Sequence, residues 1–227
     1  LGPSVISSIM GIYPAPFIAR LKNQGIKWFA TVTSVTEALA AEAAGADVIV
    51  AQGVEAGGHR GSFNSEDVSR SLVGLFSLLP AVVDAVKIPV VATGGIGDAR
   101  GIAAALLLGA SAVQIGTGLL RTPESGITSA WANAIGSALP EDTVPTRAFS
   151  GRLGRSIRTA YTEAAEKGPK PAPYPIQRNL TKAMRESAID IDTMQAWAGQ
   201  SAGLARAEPA TELVRELWTT AKKLLKS

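Results

Sequence analysis

Residues 89–118 read PVVATGGIGDARGIAAALLLGASAVQIGTG, and the punctuation of that stretch sets the architecture. Pro89–Ala92 is a short apolar run stopped by Gly94-Gly95-Ile96-Gly97. Asp98 can cap a helix running through Leu108, with Ile102, Ala105, Leu106 and Gly109 along one face. Gly109-Ala110-Ser111 then turns the chain into a second buried run, Ala112–Ile115, closed by Gly116-Thr117-Gly118. Strand, helix and strand in this order make a parallel βαβ unit. Upstream the pattern repeats. Strands are expected at Val5–Ile9, Lys27–Thr33 and Asp47–Ala51, the last an unalternating run of the kind buried on both faces. Helices are expected at Phe17–Gln24, at Val35–Ala44 behind an N-cap at Ser34, and at Pro80–Val86 with proline in the first position. The five strand starts lie 20 to 23 residues apart, except one step of 42 that holds a long polar loop from Gln52 to about Arg70.

The same stretch tests the membrane question. Gly101–Leu120 carries no charge for 20 residues. Glycines at 101, 109, 116 and 118, with Ser111, Gln114 and Thr117, break it into a buried helix and a buried strand rather than a span. No secretory pattern opens the chain, so a cytoplasmic protein without a membrane partner is expected. Among 227 residues there are 22 basic and 19 acidic side chains, one histidine and no cysteine. Disulfides, thiolate nucleophiles and cysteine-ligated metals are excluded. A single histidine leaves little scope for a metal site, and none is expected. The small net charge of +3 is spread along the chain and does not point to nucleic acid.

In parallel βα architectures ligands gather at the C-terminal ends of the strands. Those ends are small and polar here: Thr31–Ser34, Gln52–Gly61, Thr93–Gly97 and Gln114–Gly118. Two successive glycine turns, Gly94-Gly95-Ile96-Gly97 and Gly116-Thr117-Gly118, suit an anion held by backbone N–H groups, as (β/α)₈ barrels hold phosphate after strands 7 and 8. His59, between Gly57-Gly58 and Gly61, is the side chain that exchanges protons near neutral pH. Glu55 and Arg60 flank it, as participants, an ion pair or a loop anchor. Gln52 can address a heterocycle edge or serve as a loop amide. The four tryptophans, at 28, 131, 197 and 218, are expected to be packing residues. Trp197–Gly203, small residues around Gln200, is either a closing segment or a plain interhelical turn.

Three motifs together resemble the nitronate monooxygenase family: Ala51-Gln52-Gly53-Val54-Glu55-Ala56-Gly57-Gly58-His59, Pro89–Ile96, and Gly109–Thr117. The E-A-G-G-H loop is the specific element. The resemblance implies a (β/α)₈ TIM-barrel fold with an added helical region and FMN at the C-terminal mouth. It implies FMN contacts from Gln52, Gly57, Gly94, Gly95, Gln114, Ile115, Gly116 and Thr117, and places His59 at the family's active-site histidine. It further implies oxidation of an alkyl nitronate by O₂ to a carbonyl compound and nitrite. The other flavin barrels it resembles are the enoyl-acyl-carrier-protein reductase and NAD(P)H:quinone reductase. A non-catalytic phosphate-binding barrel remnant is the alternative of another class. A closed barrel takes about 250 residues, whereas a partial barrel over 1–123 and a helical region over 124–227 are expected here. The five strands then correspond to the last five of eight. Open sheet edges lead to the expectation of weak FMN binding and aggregation by this chain alone.

Overall fold

The computed structural model describes residues 2–66 and 68–226. Their strands are β1 (Val5–Ser8), β2 (Lys27–Val32), β3 (Val48–Gln52), β4 (Gly58–His59), β5 (Val90–Thr93), β6 (Ala112–Gln114), β7 (Thr143–Thr146) and β8 (Gly154–Ile157). The helices are α1 (Ala15–Asn23), α2 (Val35–Ala43), α3 (Leu75–Ala85), α4 (Ala99–Leu107), α5 (Ser129–Ser137), α6 (Ala160–Lys167), α7 (Ile176–Leu180), α8 (Lys182–Ser187) and α9 (Ala210–Leu224). No described helix is long and apolar enough to cross a membrane.

The chain divides into two compact units. The first comprises Leu1–Val54, Arg60–Gly94 and Ile102–Gln114. It holds a five-stranded sheet in the order β1-β2-β3-β5-β6, every neighbouring pair parallel. Helices return the chain between strands, α2 packing on β2 and β3 and α3 on β3 and β5. This is the α/β architecture of the (β/α)₈ type, present as five of its strands. Its core is built from Trp28, Ile49, Val50, Leu79 and Val82, all buried. The Trp28 indole N–H donates to Ser8 Oγ at 2.9 Å, so even its polar edge is satisfied. Ser34 caps α2 as expected, accepting from Glu37 N at 3.2 Å.

One expectation fails instructively. Pro80 lies inside α3 rather than at its start. The buried stripe Leu75, Leu78, Leu79 and Val82 extends the helix upstream, and the N–H that proline lacks would have met the carbonyl of Phe76. Phe76 is 74% exposed, so this turn of the helix faces solvent.

The second unit comprises Glu55–His59, Gly95–Gly101 and Ile115–Ser227. Its core joins Ile135, Ile157, Met194 and a series of buried alanines from Ala138 to Ala205. Besides helices it contains a three-stranded sheet, β4-β8-β7, whose pairs are antiparallel. Pro145 in β7 and Gly154 opening β8 are the strand breakers that hid this pair in a region expected to be helical. Proline is tolerated because β7 is an edge strand. Asp98 caps α4 as expected, accepting from the N–H groups of Arg100 (3.0 Å) and Gly101 (3.1 Å). Trp218 is not a core residue: it is half exposed on α9, with the Lys222 ammonium 5.5 Å from its ring centroid.

In the first unit Arg60 is a buried anchor. Its guanidinium donates to the carbonyls of Gln52 (2.7 Å), Gly53 (2.7 Å) and Ser71 (2.9 Å). It thereby pins the start and end of the long loop to the end of β3. Replacing Arg60 with Met leaves three buried carbonyls without that donor, and unfolding by urea should show a loss of about 3 kcal/mol.

Candidate functional site

His59 does not hang in a flexible glycine loop. It forms β4 with Gly58, and the pair lies against β8 in the register Gly58↔Arg155 and His59↔Gly154. The next layer of contacts comes from residues far along the chain. His59 Nε2 lies 2.7 Å from Ser150 Oγ. Ser150 is fully buried, and its hydroxyl accepts from the Arg152 N–H at 3.3 Å. The imidazole ring packs 5.1 Å from the Trp197 ring, and the edge of Tyr174 approaches at 6.1 Å. Trp197 is itself held by a bridge to Ser156 and by its carbonyl, which accepts from the Trp131 indole at 3.2 Å.

Burial pushes the His59 imidazole down to about 4, and the positive charges of Arg152 and Arg178 push the same way. Each disfavours a second proton on the ring. His59 is therefore neutral at physiological pH and sits in a positive field. Arg155, also buried, is drawn below its usual range by burial, with the Glu55 carboxylate acting in the opposite direction.

The loop carrying His59 is fixed by backbone packed on backbone. A Cβ on Gly57 would lie 2.6 Å from the backbone of Ala198 and Gly199, and one on Gly199 would lie 2.7 Å from the Glu55 carbonyl oxygen. Only glycine permits that approach. Around it Gln200 N donates to the Glu55 carbonyl (2.9 Å), Gly199 N donates to Thr117 Oγ1 (2.9 Å) and Ser201 Oγ donates to the Gly95 carbonyl (2.6 Å). The Trp197–Gly203 segment is thus a turn that ties together the Glu55–His59 loop, Gly95 and Thr117.

The residues expected to hold a cofactor fall into both units. Gln52, Gly94 and Gln114 belong to the first, and Gly57, Gly95, Ile115, Gly116 and Thr117 to the second. Gln52 is buried, and its side-chain carbonyl accepts from Gly61 N (2.8 Å) and from Arg60 (3.1 Å). Thr93 Oγ1 donates to the Gln114 carbonyl at 3.0 Å. Gly94 and Gly95 both have left-handed backbones, φ +99° and +71°. A Cβ on Gly116 would meet nothing within 4 Å, so that backbone is open to an approaching group. Within the second unit, the left-handed backbone at Gly95 and the open backbone at Gly116 each suit close approach of an anionic group such as a cofactor phosphate. Sequence reasoning missed Ser150, Arg152, Arg155, Tyr174 and Arg178, and read Trp197 as a packing residue at the start of a turn or closing segment. The one available signal was the run Ser150-Gly151-Arg152-Leu153-Gly154-Arg155, polar and basic in a chain of modest charge.

The family profile described as nitronate monooxygenase matches residues 1–220. The chain belongs to the nitronate monooxygenase family. A Staphylococcus aureus (strain MSSA476) protein named "Probable nitronate monooxygenase" is 44% identical over 211 residues, covering 91% of this chain and 59% of that protein. The chain thus spans about three-fifths of the length of such nitronate monooxygenase relatives. Among solved structures, a nitroalkane oxidase from Streptomyces ansochromogenes is 42% identical with a TM-score of 0.91, covering 97% of this chain and 64% of the other. FabK from Thermotoga maritima is 32% identical with a TM-score of 0.79, covering 98% of this chain and 68% of the other.

The chain has a single histidine, so its ring signal in an NMR titration is unambiguous. Its midpoint should fall near 4 rather than the usual 6.5. The unfolded chain then binds this proton first, so His59 costs no stability above pH 6.5 and increasingly destabilises the fold as pH drops toward 4. A midpoint near 6.5 would contradict the burial and charge described here.

Proposed function

We propose that this chain carries the flavin- and substrate-handling part of an enzyme that oxidises alkyl nitronates with O₂ to carbonyl compounds and nitrite. The setting proposed is the cytoplasm, with a nitronate and O₂ as its small-molecule partners. FMN is the proposed cofactor, held by Gln52, Gly57, Gly94, Gly95, Gln114, Ile115, Gly116 and Thr117. Gly94, Gly95, Gly116 and Thr117 are assigned to its phosphate, the glycines because their backbones suit close approach of an anion. Bound flavin supplies the electron-accepting chemistry, while the protein supplies orientation and charge.

The observation that carries this reading is the state of His59. A neutral imidazole fixed by Ser150 and surrounded by Trp197, Tyr174 and two guanidinium charges suits an arriving anion. A nitronate is such an anion. His59 hydrogen-bonds it, and Arg152 and Arg178 favour its negative charge. With a neutral nitroalkane the ring would have to accept the α-proton, and an imidazole pushed down to about 4 is a weak base for that step. The site therefore favours the nitronate over its conjugate acid. Trp197 and Tyr174 border the ring and exclude water from it on those sides.

The likeness to FabK fits a second reading, an NAD(P)H-dependent flavin reductase of the enoyl-acyl-carrier-protein or quinone type. Anaerobic mixing separates the two: rapid bleaching of the flavin by NADH supports the reductase, and bleaching by nitronate but not NADH supports nitronate oxidation. In the intact, flavin-loaded enzyme, His59→Asn should lower nitrite production from a nitronate by about 100-fold or more while leaving the flavin absorbance near normal. Unchanged turnover would remove His59 from the mechanism.

A further inference from the structure

Arg152 and Arg178 act on the His59 ring, Arg185 bonds the segment that carries Arg178, and the environments of the three differ. Arg152 is buried. Arg185 is committed to structure: it donates to Thr181 Oγ1 and Gln195 Oε1 (both 3.2 Å) and to the Arg178 carbonyl (2.9 Å). Arg178 is exposed, and no carboxylate pairs with it among the described residues. Its place is set by its neighbours. It lies in the short helix α7 (Ile176–Leu180), where Gln177 Nε2 donates to the Ala148 carbonyl at 2.8 Å. Tyr174 precedes that helix across the cis Tyr174–Pro175 bond, and Thr181 caps its end. Tyr174 edges the His59 ring, and Thr181 Oγ1 donates to the Phe149 carbonyl at 2.6 Å, one residue before the Ser150 that bonds His59.

We propose that Arg178 recruits anionic substrate to His59, as an exposed guanidinium carried on a short helix whose Gln177 and Thr181 are fastened to Ala148 and Phe149, beside the Ser150 that bonds His59. The proposal rests on the nitronate reading for its substrate but not for its charge logic. Its positive charge is already felt at the imidazole. Arg152 is buried, and Arg185 is held by three hydrogen bonds. Arg178 alone of these three meets an incoming ligand first. Attraction by an exposed charge acts mainly on association and is weakened by salt. It therefore belongs in kcat/KM, with little change in kcat.

The test compares wild type with Arg178→Gln, Arg178→Lys and Arg178→Glu in the intact enzyme at low and high salt. With a nitronate at low salt, Gln should lower kcat/KM about tenfold and Glu further, Lys should restore most of the loss, and high salt should close the gap. The loss should be smaller with the parent neutral nitroalkane. Equal kcat/KM and equal salt dependence in wild type and Arg178→Gln would overturn the proposal, as would a loss confined to flavin reduction by NADH. Wild type that forms no nitrite from a nitronate would instead sink the nitronate reading. The charge role is then read from nitrate, a planar unreactive anion, followed through the His59 ring signal. A severalfold weaker nitrate Kd in Arg178→Gln upholds recruitment, and an unchanged Kd refutes it.

Discussion

The placement of His59 depends on one contact, the backbone of Gly57 against the backbone of Ala198 and Gly199. β4 is two residues long and has little cooperative pairing of its own. What fixes it is that neither Gly57 nor Gly199 presents a side chain, so two loops distant in sequence touch directly. Hydrogen bonds from Gln200 to Glu55, Gly199 to Thr117 and Ser201 to Gly95 then lock the same turn onto three loop segments. With the loop in place, the imidazole reaches Ser150 and lies along the Trp197 ring. Glycine in the E-A-G-G-H run is therefore needed at Gly57 for packing of protein on protein, whatever else that backbone contacts.

Charge is the second organising element, and one residue type performs three tasks according to its surroundings. Arg60 is buried among carbonyls and acts as a clamp. Arg155 is buried beside β7, donating to Thr143 Oγ1 at 3.1 Å, with the Glu55 carboxylate near enough to act on it. Arg152 and Arg178 set the field around a neutral imidazole. That combination accepts an anion without first charging the ring. It follows from desolvation and Coulomb repulsion acting in the same direction.

Most of the sheet was legible because buried parallel strands write themselves as short unalternating apolar runs between glycine turns. Ser34 and Asp98 announced their helices as caps do. Pro80 misled because the local rule for proline gave way to the burial of Leu75, Leu78 and Leu79. β7 and β8 were hidden by Pro145 and Gly154, which erase the alternation that marks a half-buried strand. At the site, His59 and the glycine turns stood out by residue type and by position at strand ends. Its partners did not: Ser150 lies 91 residues away in the chain, and hydroxyls, arginines and tyrosines in loops have no periodic signature. Trp197 was misplaced for the opposite reason, since an aromatic residue near helices ordinarily reads as packing.

The most direct test of this account is Gly199→Ala, which adds one methyl group at the contact and touches no proposed reacting group. The account predicts that the His59 ring signal loses the upfield shift imposed by Trp197 and that its titration midpoint rises toward 6.5. Nitronate turnover should fall while the urea unfolding of the five-stranded unit stays unchanged. A variant with the wild-type His59 signal, midpoint and turnover would show that the Gly57–Gly199 contact does not position the histidine.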